Sequence, residues 1–175
     1  REIRKRYWWR FGEPTPALFD AVSRLPRVLV LSRVGQQGSF AFVPANWVYS
    51  ESLVVVALAT DSAFAVLQSR PHEFWARFFA SSMKDDMRYT PSDCFESFPF
   101  PAGVLEHAAG ESPPTDNTQL IALETAGRDY YEFRAALMVR NDEGLTKTYN
   151  RFHDPDERSS DILRLRELHA AMDRA

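Results

Sequence analysis

A chain of 175 residues, 45% hydrophobic and 26% charged, can bury a sizeable core and has the balance of a globular protein. Its formal charge of −3 excludes a generic polycationic nucleic-acid binder, and its one cysteine, Cys94, excludes an internal disulfide and fits a reducing, cytoplasmic setting. No apolar run reaches the roughly 20 residues of a membrane helix, and no signal peptide is present, so no membrane partner is expected.

The overall charge hides an asymmetry. Residues 1–101 hold 12 Lys/Arg against 10 Asp/Glu, a net of +2, whereas residues 102–175 hold 9 against 14, a net of −5. Only the first part has a favourable balance for phosphate. The chain starts at Arg1 rather than Met and stops inside a helical pattern, so it is expected to be a piece of a longer protein.

In chain order, REIRKRYWWR (Arg1–Arg10) interleaves Arg4, Lys5 and Arg6 with Tyr7, Trp8 and Trp9. Such a stretch can lie along a nucleic-acid backbone. The plainer alternative is a solvated helix whose tryptophans dock on the core. Thr15 and Pro16 open a helix carrying Leu18, Val22 and Leu25. From Arg27 the period shortens. Val28–Val34, the turn Gly35–Gly38 and Ser39–Pro44 read as a hairpin, and Asn46–Tyr49 and Leu53–Ala59 as further strands, the last a central one. Gln36 and Gln37 at the hairpin tip are candidates to reach base edges, with solvated turn residues as the alternative, and Arg33 is a further possible DNA contact.

Asp61 or Ser62 caps a short helix, and Pro71 starts another whose Phe74, Trp75, Phe78 and Phe79 are expected to pack in the core, with His72 structural. Ser81–Pro101 (SSMKDDMRYTPSDCFESFPFP) follows. In an extended segment its alternation sends Lys84, Asp86 and Arg88 out on one face, where basic and acidic side chains can read polar base edges. Ser82 is a further possible contact. Phe95, Phe98 and Phe100, with Pro99 and Pro101, brace the strip against the core. Residues 102–117 have linker composition. Thr118–Met138 then reads as a helix ended by Gly144, and a last helix opens at Ser159 or Ser160. The fold class is α+β: a mixed or antiparallel sheet domain with flanking helices, followed by an α-helical hairpin.

The chain lacks a Gly-rich phosphate loop, a CxxC pair and an HExxH motif. His153 and His169 form no convincing ligand set with Asp154 and Asp173, and Cys94 sits in a Phe-rich segment, buried rather than nucleophilic. No catalytic residue and no metal site is expected.

Four ordered blocks, Tyr7–Leu18 (YWWRFGEPTPAL), Arg88–Pro101 (RYTPSDCFESFPFP), Tyr130–Pro155 (YYEFRAALMVRNDEGLTKTYNRFHDP) and Leu163–Ala175 (LRLRELHAAMDRA), resemble the C-terminal part of MmeI-like adenine-specific DNA methyltransferases of restriction–modification systems. The resemblance implies a DNA target recognition domain over 1–101, a linker over 102–117 and a helical C-terminal region over 118–175. It implies base reading by Lys84, Asp86 and Arg88 on double-stranded DNA. It also implies an upstream methyltransferase domain in the same chain that uses S-adenosylmethionine; neither that cofactor loop nor the NPPY-type motif occurs here, so this part binds no cofactor. An endonuclease could be fused upstream. The rival reading keeps the family but makes this region an interdomain scaffold, with bases read elsewhere.

Overall fold

The computed structural model describes residues 16–83, 86–107 and 116–175. Arg4, Lys5, Arg6 and Lys84 lie outside the described residues, as do residues 108–115 of the proposed linker.

After α1 (Pro16–Val22) the chain forms β1 (Arg27–Ser32), β2 (Val34–Gly35), β3 (Ala41–Pro44) and β4 (Leu53–Val56). The apolar run of β1 is buried on both faces because β1 is the centre of a β3-β1-β4 sheet, antiparallel on both sides. Its alternation divides the core. Leu29 and Leu31 join Val54 and Val56 on the main side, while Val28 and Val30 face the small cluster that Val22 of α1 completes.

Two strand expectations are corrected. Leu53–Ala59 is not a central strand; β4 is an edge of its sheet and stops at Val56, where the backbone turns to deliver Thr60 as the cap of the next helix. Asn46–Tyr49 is not a strand either. The Trp47 amide and the Tyr49 hydroxyl both donate to Pro44 O, at 3.3 and 2.9 Å, and fold this stretch into a turn.

The expected hairpin between residues 28 and 44 forms, but its arms part. Pairing ends at Val30↔Ala41. Beyond Ser32 the chain crosses to a second antiparallel sheet of order β2-β6-β5, made with β5 (Ser81–Met83) and β6 (Asp86–Arg88). Arg33 is the crossing point. Its N–H donates to Ser52 O beside the first sheet at 2.8 Å, and its carbonyl accepts from Tyr89 N beside the second at 2.9 Å.

Between the sheets run α2 (Asp61–Gln68), buried along its whole length, and α3 (Arg70–Phe79). The cap of α2 is Thr60 rather than Asp61 or Ser62, with Thr60 Oγ1 accepting from Ala63 N at 3.3 Å. The expected aromatic packing of α3 is also corrected. Its inward residues are His72 and Ala76, whereas Phe74 is 72% and Phe78 82% exposed. His72 sets this rotation: Nδ1–H donates to Leu67 O at 2.8 Å, so Nε2 accepts from the Tyr89 hydroxyl at 3.1 Å. Trp75 is half-buried and reaches Ser97.

A short α4 (Pro91–Cys94) leads to the half-buried Phe95, Phe98 and Phe100, which pack on the core in edge-to-face pairs as expected. Cys94 is fully buried. The C-terminal region is three helices rather than a hairpin: α5 (Thr118–Asn141), α6 (Leu145–His153) and α7 (Ser160–Met172). Asp142, at φ 50, is the left-handed cap of α5, and Gly144 instead precedes α6.

One core runs through both parts, from Leu29 and Phe40 to Tyr130, Ile162 and Met172. Its spine is the crossing of α2 and α5. Gly127 leaves no room there for a side chain, since a Cβ would stand 2.1 Å from Asp61 O. Beside it the Glu124 carboxylate of α5 accepts from the Asp61 and Ser62 amides at the α2 N-terminus, at 3.3 and 2.7 Å.

Candidate nucleic-acid interface

The proposed reading strip is a hairpin rather than one extended segment. β5 and β6 pair antiparallel with Met83 opposite Asp86 and Ser81 opposite Arg88. The chain therefore reverses between them, and the alternation argument holds only within β6. There Asp86 and Arg88 share a face and Met87 takes the other. Met87 is half-buried against the core and its Cε lies where a Cβ on Gly38 would be 3.3 Å away. Arg88 is exposed and Asp86 half-exposed, and neither makes a side-chain hydrogen bond or ion pair with another described residue.

β6 is the central strand of its sheet. Arg88 is paired to Val34 on one side and to Ser81 on the other, so the position of its Cα is fixed by two ladders. Ser82 lies in β5 opposite Met87, which faces inward; its side chain lies outside what is described. Below the strand, Tyr89 is 1% exposed, its hydroxyl held by His72 and its ring edge-on to Phe40.

The other flank is the tip between β2 and β3. There Gln36 is exposed and Gln37 half-exposed, while Arg33 is exposed just before β2, at the crossing. Fixing the tip falls to a residue the sequence reading passed over. Arg77 of α3 donates to Gln36 O at 2.9 Å and pairs with Glu73 at 2.8 Å, adding a cation beside the loop. The i,i+4 spacing from Glu73 was legible; nothing in the sequence places Arg77 at the tip. Arg33, Gln36, Gln37, Asp86 and Arg88 are thus tied to one small sheet and its adjoining loop, backed by α3. Among the described residues no group of His, Cys, Asp and Glu could hold a metal ion, and no helix is long and apolar enough to cross a membrane.

Residues 17–102 match the family described as MmeI, target recognition domain. This stretch spans both sheets, α2, α3 and the phenylalanine brace. The chain is also similar in fold to part of a solved structure described as the type IIL restriction–modification enzyme MmeI in complex with DNA. That likeness has a TM-score of 0.60 at 20% identity and covers 85% of this chain. This chain corresponds to 17% of the length of that one. Among curated proteins none matches.

Proposed function

We propose that this chain is the sequence-reading module of an MmeI-like restriction–modification enzyme, and that it reads double-stranded DNA with the exposed face of β6. The observation that carries this reading is the family match over 17–102. Within that unit, Asp86 and Arg88 stand on one face of a strand paired on both edges, and their side chains make no hydrogen bond or ion pair with another described residue.

Such a pair suits base edges in the major groove. An arginine fork matches guanine O6 and N7, and a carboxylate accepts from cytosine N4. Rigid support for the strand matters because discrimination depends on geometry. Lys84 remains part of the proposed reading set through the family resemblance, and Arg33, Gln36, Gln37 and Arg77 supply contacts at the flank. Arg4, Lys5 and Arg6 are proposed phosphate contacts.

In the whole enzyme the chemistry belongs to a methyltransferase domain upstream, which would bind S-adenosylmethionine and methylate an adenine exocyclic amine. The setting is the bacterial cytoplasm. This part holds no cofactor and supplies no catalytic residue.

The test is selection of bound duplexes from a randomised pool by the intact protein. Asp86→Ala and Arg88→Ala should each flatten preference at one base pair by about 5- to 150-fold, the range of roughly 1–3 kcal/mol per good base contact. An unchanged motif in both variants removes β6 from the reading face.

A further inference from the structure

Past Val30↔Ala41 the two arms of the first hairpin separate, so Phe40 has lost its strand partner while its backbone is buried. A buried peptide with unmet hydrogen bonds is costly. Here both groups are met by side chains from helices. The Phe40 N–H donates to Gln68 Oε1 at 2.9 Å, and Arg134 NH2 donates to Phe40 O at 2.8 Å. Gln68 also donates to Gly38 O at 3.2 Å, and Arg134 donates to Gln68 Oε1 at 3.4 Å. One residue on, the Phe42 N–H donates to the Tyr131 hydroxyl of α5 at 3.1 Å.

Arg134 is 2% exposed and makes no ion pair with a described carboxylate. Its charge rests on neutral acceptors, among them the Tyr149 hydroxyl at 2.7 Å, and on the faces of Phe64 and Tyr131, at 5.2 and 5.0 Å. An apolar side chain would fill the site without the cost of burying a charge, so the arginine is there for its geometry.

We infer that Arg134 and Gln68 are positioning residues for recognition: together they clamp the Gly38–Phe40 backbone where the hairpin arms part, and so hold the Gly35–Gly38 tip against β6. The helix that follows the target recognition unit is thereby a working part of the reading device. The specificity half of this inference rests on the DNA-reading proposal; the clamp itself does not.

The experiment uses the intact protein with Arg134→Lys, Gln68→Met and Tyr149→Phe, all kept below their melting temperatures. Arg134→Lys keeps the charge and removes the fork. Tyr149→Phe perturbs the same buried cluster but touches no tip atom. Amide hydrogen exchange and selection from a randomised duplex pool are the two readouts. The clamp predicts at least about 10-fold faster exchange at Gln36–Phe40 in Arg134→Lys and Gln68→Met but not in Tyr149→Phe, with preference flattened at the base pairs nearest the tip. Lower melting temperatures with unchanged exchange at the tip and an unchanged motif overturn the inference. Faster exchange with an unchanged motif overturns its specificity half. A wild-type protein without preference among duplexes overturns the DNA-reading proposal, while the exchange arm still decides the clamp.

Discussion

His72 is the residue on which the brace under β6 depends. With Nδ1–H committed to Leu67 O, the ring accepts the Tyr89 hydroxyl proton only while neutral. Burial holds its pKa down at about 4 against an ordinary 6.5. The unfolded chain then binds the proton more tightly than the folded one between those values, so stability falls as pH drops from 6.5 towards 4. The shift sets the size of this effect at about 3 kcal/mol. Urea melts across that range should show the loss, and His72→Gln should flatten it. Asp173 adds a second acid-sensitive point: burial alone would raise its carboxyl, but the His169 ring, 3.3 Å from Oδ2, and the hydrogen bond from the Arg70 amide win and lower it. Its contribution is present above the ordinary carboxylate range and is lost as pH falls through the depressed value.

At the scale of elements, α3 separates two meanings of an aromatic stripe. Phe74 and Phe78 recur at helical spacing, which is why the sequence suggests a core face; the structure turns that face to water and buries His72 and Ala76. Periodicity reports that a helix has a face, and only the partners of His72 decide which face it is. Ala76→Leu should therefore cost about 1–3 kcal/mol by overpacking. Phe78→Ser, by contrast, should change stability by less than about 0.5 kcal/mol, as exposed substitutions do. Thermal melts of the two variants in parallel check the assignment. Other elements were legible for direct reasons. β1 announces itself by an unbroken apolar run, and α7 by Ile162, Leu165 and Met172 at helical spacing. The β5–β6 hairpin was not, because Ser81–Tyr89 contains no glycine or asparagine to mark the reversal. Asp86 and Arg88 could be picked out by alternation and family resemblance; Arg77, Gln68 and Arg134 act through contacts 28 to 94 residues apart in sequence that no local pattern encodes.

At the scale of the molecule, the family match ends near residue 102, but the core does not. Tyr130, Leu137, Ile162 and Leu165 complete the same cluster that Leu29 and Phe64 begin, and Glu124 caps α2 from the far side of that boundary. A chain cut after residue 107 would expose the whole inner face of α2, including its buried Asp61 and Gln68. Such a truncation should lack a cooperative thermal transition, whereas residues 16–175 should show one; differential scanning calorimetry of both checks this. A sharp transition in the shorter chain would mean that α2 finds cover without α5.

Arg33 joins two sheets through a single residue, and the two have different duties. The first sheet is walled in on both faces. The second is two or three residues deep per strand and leaves Asp86 and Arg88 with no inward task. Identity at those two positions is therefore uncoupled from foldability. Selection can exchange one pair of side chains for another there without compensating changes inside.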